Sequence, residues 1–165
     1  MSRHNLPPAP TSGAWREGDP VAFRKFANLG AHRLENGEIL PSVTLAYETW
    51  GELDEASSNA VLILHALTGD AHVCGEAAPG QPTPGWWEQI VGPGRIIDTD
   101  RYYVVAANVL GGCQGSTGPA SPAPDGAPWG SRFPVISTRD QVYAESRLAD
   151  LLDIDEWSIV VGTSL

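Results

Sequence analysis

The sequence is poor in cysteine, in basic residues and in long apolar runs, and each shortage removes a class of function. Only two cysteines occur, Cys74 and Cys113, and with the four histidines they form neither a C-x-x-C pair nor a zinc spacing. Reduced thiols are therefore expected, and a structural metal is not. Ten Lys and Arg against twenty Asp and Glu give a formal charge of −10. That sign opposes a phosphate backbone or an anionic bilayer and argues against nucleic acid and membrane surfaces as partners. No apolar run approaches the ~20 residues of a membrane span. The opening "MSRHNLPPAPTSGAWREGDP" has no apolar core of the kind a secretory signal needs, so the expectation is a cytoplasmic protein. No internal repeat is present.

What remains is the balance of a soluble globular domain: 165 residues, 42% hydrophobic and 18% charged. Eighteen glycines and fourteen prolines cluster in particular segments, which points to ordered loops between strands. Residues 1–20 are Pro-rich and polar and read as a loose N-terminal arm, with 21–165 as one domain.

Within that domain the apolar pattern changes along the chain. "ENG" at 35–37 signals a turn in a β-hairpin, and "SVTLAYETWG" (42–51) alternates Val43, Leu45 and Tyr47 with Thr44, Ala46 and Glu48 as a strand does. "AVLILHAL" (60–67), "RYYVVAANVLGG" (101–112) and "WSIVVG" (157–162) are apolar on both faces, as central strands of a parallel sheet are. Between them lie a short helix candidate, "GWWEQIVG" (85–92), a long Gly/Pro segment at 111–134, and a helix at 137–155 with Thr138 and Gln141 as a capping box. The rhythm of buried strand, loop and helix, buried strand predicts an α/β fold with a mostly parallel sheet flanked by helices.

Three stretches could carry chemistry. The last, "VVGTSL", ends one residue short of Gly-x-Ser-x-Gly, the strand-to-helix turn that exposes a serine nucleophile in one class of α/β enzymes. Ser164 is its candidate nucleophile, against the plainer reading of Gly-Thr-Ser as an ordinary strand end. "HALTGDAHV" (65–73) leaves the first buried strand where such enzymes form the other half of an oxyanion hole, which would pair the backbone N–H groups of Leu67 and Leu165. Neither His65 nor His72 is a candidate base, because a position before the nucleophile breaks the Ser, Asp/Glu, His chain order of that fold. "NVLGGCQGSTGPASPAPDGAPWGSRFP" (108–134) matches neither G-x-G-x-x-G nor G-x-x-x-x-G-K-[ST], which leaves nucleotide binding unsupported. Cys113 has no evident base or cation beside it and reads as a packed thiol. Trp86, Trp87 and Trp129 read as packing residues.

Taken together, "HALTGDAHV", "PTPGWWEQIVGPGRIIDTDRYYVVAANVLGGCQGSTGP", "DGAPWGSRFPVISTRDQV" and "VVGTSL" resemble the N-terminal part of the homoserine O-acetyltransferases, acyltransferases of the α/β-hydrolase fold, over residues 20–165. Thr163 stands where that family usually has glycine. The resemblance implies a ping-pong transfer in methionine synthesis: Ser164 takes the acetyl group from acetyl-CoA and passes it to the hydroxyl of L-homoserine. It implies oxyanion-hole N–H groups at Leu67 and Leu165, no permanently bound cofactor, acetyl-CoA as co-substrate and a homodimeric complete enzyme. It also implies that the catalytic Asp and His follow later in a longer chain truncated here at the nucleophile elbow, so that these 165 residues alone are expected to be inactive. Succinyl-CoA- and L-serine-using relatives share this half of the sequence. A serine esterase of the same fold and a non-catalytic module are the competing readings.

Overall fold

The structure, a computed structural model, describes residues 13–162. Its hairpin forms where the sequence alternates. Strands β1 (Lys25–Arg33) and β2 (Ile39–Trp50) run antiparallel, and the turn between them is closed by the Gly37 N–H on Leu34 O, with Gly37 at φ +91°. Asn36 Oδ1 accepts the Glu38 N–H at 2.9 Å, so the "ENG" signal is a true turn. Leu40, Val43 and Leu45 are fully buried along one face of β2. The pairing slips twice, once beside Gly30 and once where Pro41 and Ser42 oppose Ala31 alone. A proline fits at such a bulge because no ladder N–H is lost there.

The centre of the sheet is built from β3 (Ala60–Leu64) and β6 (Tyr103–Ala107), buried on both faces as expected but shorter than their apolar runs. Between them the chain forms a two-strand ribbon, β4 (Val91–Gly92) and β5 (Ile97–Asp98). The strand order is β1-β2-β6-β3-β7, where β7 is Ile159–Gly162. β6, β3 and β7 are mutually parallel and β2 is antiparallel to both β1 and β6, so four of the five strands point the same way.

Each face of this sheet has its own core. Val105, Ala107, Leu45 and Leu40 meet Ala144, Leu148 and Ala149 of the helix α1 (Thr138–Leu151) on one side. Val61, Ile63, Val104 and Ala106 meet Val73, Val91, Ile97, Trp86 and Trp87 on the other. Each Val, Leu or Ile among them, taken from water, contributes about 1.5–3 kcal/mol, which is why the least polar strands occupy the centre.

Four expectations are corrected. Residues 85–92 are not a helix but a series of turns: Gly85, Trp86 and Trp87 hold the segment against the 72–75 backbone by N–H bonds to Gly75 O, His72 O and Val73 O, and after a single turn closed on Trp87 O by Ile90 and Val91 the chain is taken into β4. Gly92 at φ +144° then ends the segment. The capping box is Ser137 with Asp140, not Thr138 with Gln141; Asp140 Oδ2 accepts the Ser137 N–H at 2.7 Å, and Gln141 donates to Leu110 O instead. The helix stops at Leu151 in place of 155, with Asp153 at φ +57° and the N–H groups of Ile154 and Asp153 on Ala149 O and Asp150 O. That is a Schellman stop with Asp in the glycine position, closed by the buried Ile154. Finally, β7 is not buried on both faces: Ile159 and Val160 are exposed, and among the described residues only β3 pairs with it.

Candidate active site

From β3 the chain moves to one side of the sheet to make β6, then crosses back to the other side to make β7. In open α/β sheets the crevice at the carboxyl ends of strands flanking such a reversal is where ligands bind. Here that crevice lies between the ends of β3 and β7, which are in register with Leu64 opposite Gly162. The two segments singled out in the sequence leave the sheet side by side at this point.

After Leu64 the chain makes a tight turn. The Gly69 N–H bonds Ala66 O at 2.8 Å, leaving Leu67 and Thr68 at its tip. Leu67 is 98% exposed, and its backbone N–H has no partner among the described residues. A four-residue turn of this kind does not use the N–H of its second residue, so the group is free to receive an anion. His65 closes the turn from below: its Nδ1 hydrogen-bonds Ala66 O at 2.7 Å while its Nε2 accepts the Val109 N–H at 3.2 Å. With Nε2 accepting, Nδ1 is the nitrogen that donates to Ala66 O.

Thr163, Ser164 and Leu165 lie outside the described residues. The strand that leads to them, β7, ends at the exposed Gly162 beside the His65–Gly69 turn.

No histidine described here has a free ring nitrogen positioned as a base. His72 is buried, with Nδ1 on Glu48 Oε2 at 2.9 Å and Nε2 on Glu76 O at 3.2 Å. Both neighbours are acceptors, so the ring is an imidazolium, and the hydrogen bond to Glu48 raises its pKa above the ordinary histidine value despite burial. Gln81 Nε2 donates to the other Glu48 oxygen, and the Phe23 ring stacks on His72 with centroids 5.6 Å apart. Glu48 was assigned to the polar side of its strand by alternation; residues 70–81 cover that side, and the ion pair is what makes its burial tolerable. His32 is fully buried against Tyr143 with neither ring nitrogen hydrogen-bonded, and burial lowers its pKa.

The long loop after β6 is ordered by Asn108, which sequence reasoning passed over. Its Oδ1 accepts the Ala71 N–H, its Nδ2 donates to Gln114 O, and its carbonyl accepts from Ser116 Oγ. Buried Arg24 donates to Gln114 O, Gln114 Oε1 and Gly80 O, tying the N-terminal segment to the same loop. Nothing local in the sequence marks either residue, since Asn108 joins its own loop to the distant Ala71 and Arg24 reaches Gln114 and Gly80. Cys113 is exposed, contrary to the packed thiol expected, and lines a groove of about 420 Å³ with Trp15, Phe26 and Ser116. Cys74 is buried, and burial pushes its thiol up to about 11. Both cysteines are free. Trp86 and Trp87 stack on each other, and Trp129 meets Phe133 edge-on, as packing residues do. Among the described residues no cluster of His, Cys, Asp and Glu could hold a metal ion, and no helix is long and apolar enough to cross a membrane.

No family model matches the chain. The homoserine O-acetyltransferase of Clavibacter michiganensis is 65% identical over 156 residues, which is 94% of this chain and 40% of that protein. A solved esterase superimposes with a TM-score of 0.79 at 34% identity over 86% of this chain and 40% of its own. The homoserine O-acetyltransferase of Bacillus anthracis does so with 0.78 at 30% identity over 86% and 39%. The chain thus spans about two-fifths of the length of the proteins it matches. Over that span it has the α/β-hydrolase fold and is a homologue of the homoserine O-acetyltransferases.

Proposed function

We propose that the chain is the N-terminal part of an acyltransferase that moves an acetyl group from acetyl-CoA to the hydroxyl of L-homoserine, in methionine synthesis. The observation that carries this reading is the register of β3 with β7, Leu64 opposite Gly162. It brings the free Leu67 N–H alongside the strand that leads to Ser164. The 65% identity to a homoserine O-acetyltransferase supports the choice of substrates.

In this reading Ser164 Oγ attacks the thioester carbonyl and its proton passes to a histidine later in the complete chain. The carbonyl oxygen becomes an oxyanion held by the N–H groups of Leu67 and Leu165. The carbon–sulfur bond breaks, coenzyme A leaves with the proton, and an acetyl-serine remains. The homoserine hydroxyl then attacks that ester, giving its proton to the same histidine, which passes it to Ser164 Oγ as the ester bond to serine breaks and O-acetyl-L-homoserine leaves. An unassisted serine hydroxyl is a weak nucleophile, and losing a triad member costs about 10⁴-fold or more in rate. The 165 residues alone are therefore inactive, and the complete enzyme is a cytoplasmic homodimer with no resident cofactor.

The similarity to an esterase of the same fold favours a second reading, in which water is the acceptor. Initial rates of the full-length gene product separate the two. Parallel double-reciprocal lines for acetyl-CoA and homoserine support the transferase, whereas coenzyme A release at an equal rate without homoserine supports the hydrolase.

A further inference from the structure

We propose that His65 is a positioning residue for acyl transfer: its ring holds the Ala66–Gly69 turn against the loop after β6, so that the Leu67 N–H stays unspent and fixed beside the end of β7. The inference rests on reading that cleft as an acyl-transfer site, and it assigns a task to a histidine that cannot be the base.

Three observations carry it. First, among the described residues the tip of the turn makes no bond of its own to the rest of the fold; the chain is tied down just past it, where Asp70 O accepts from Trp86 Nε1 and the Ala71 N–H donates to Asn108 Oδ1. Leu67 and Thr68 are exposed, and the turn's own bond, Gly69 N–H to Ala66 O, joins two of its own residues and nothing outside. Second, His65 supplies a link on the other side of the tip, from within the turn to the loop after β6. One nitrogen bonds Ala66 O at 2.7 Å within the turn; the other accepts the Val109 N–H at 3.2 Å from a loop that is itself braced by Gly112 N–H on Val109 O and Gly111 N–H on Thr117 O. Third, the two ends of the turn lie close together, since a Cβ added to Gly69 would lie 3.2 Å from the His65 Cβ. An oxyanion donor must sit within a few tenths of an ångström of where the charge develops, so a brace on its turn acts on rate more than on binding.

The roles of the two nitrogens make the test specific. His65→Ala removes both bonds. In His65→Gln the side-chain oxygen reaches the place of Nε2 and keeps an acceptor for Val109, whereas His65→Asn keeps only the shorter reach toward Ala66. The full-length gene product and these variants would be mixed with p-nitrophenyl acetate and with acetyl-CoA. The burst amplitude counts competent serines, and the burst rate constant reads acylation per competent serine. Hydrogen exchange at the Val109 amide would be followed in parallel.

The expected result is an acylation rate constant about 10- to 100-fold lower in His65→Ala and His65→Asn, at unchanged KM and unchanged burst amplitude per folded protein, with most of the rate restored in His65→Gln. Val109 exchange should quicken in the first two and stay slow in the third. A purely structural role would lower Tm and burst amplitude while leaving the rate per competent serine intact, and that pattern overturns the proposal. Equal rates in all variants overturn it as well and leave the acyl-transfer reading standing. A wild type that shows no burst with either acyl donor overturns the acyl-transfer reading, and the proposal falls with it.

Discussion

Glu145 offers a stability prediction that can be worked through in numbers. It lies on the core-facing side of α1, is buried, and has no hydrogen-bond or charge partner among the described residues. Burial alone raises its carboxyl pKa from 4.5 to about 7. Between those values the folded chain holds a proton that the unfolded chain has lost, so stability falls as pH rises from 4.5 toward 7 and levels off above. At 1.36 kcal/mol for each pK unit, the cost is under about 1 kcal/mol at pH 5 and about 3 kcal/mol at pH 8. Glu145→Gln removes the ionisation and keeps the shape. Urea unfolding of parent and variant at both pH values is the assay. The titrations of His72 and His32 are common to both proteins and cancel in the difference. The variant should gain roughly 2–3 kcal/mol more at pH 8 than at pH 5. An equal effect at the two pH values, or a loss at pH 8, would refute the argument that this carboxyl is desolvated and unpaired.

Two other changes follow from named contacts. Ser137→Ala removes the side-chain acceptor for the Asp140 N–H and should cost about 1 kcal/mol in the same unfolding assay. His32 has a depressed pKa, so the unfolded chain takes up its proton first as pH falls below about 6.5 and stability is lost on the acid side. His32→Leu should therefore flatten the fall in Tm between pH 7 and pH 5, and an unchanged slope would show that another group causes it.

The parts of the fold legible in the sequence are those with a local cause. The hairpin turn at Asn36-Gly37, the doubly apolar β3 and β6 and the helix after Ser137 all follow from side-chain pattern and turn chemistry. The segment at 85–92 was misread because its fate is set by the partner backbone at 72–75, which no local pattern shows. Helix ends slipped by one residue at Ser137 and by four at Leu151 because several residues there could cap, and tertiary contacts chose among them: Asp140 also accepts the Glu35 N–H, and Ile154 goes into the core. At the site, Ser164 lies outside the described residues; the turn that carries Leu67 was visible at the end of an apolar strand, through Gly69. Asn108, the His72–Glu48 pair and the His65 brace were not, because each joins residues 24 to 44 positions apart or loops that meet only after the sheet has formed.

The central claim is that β7 delivers Ser164 as an acyl-accepting nucleophile beside the Leu67 turn. The measurement that tests it most directly is intact and peptide mass spectrometry of the full-length gene product after brief exposure to acetyl-CoA without homoserine. The account predicts one added acetyl group on the peptide that contains Ser164, lost when homoserine is supplied and absent from Ser164→Ala. An acetyl group on another residue, or one that forms equally in Ser164→Ala, would contradict it.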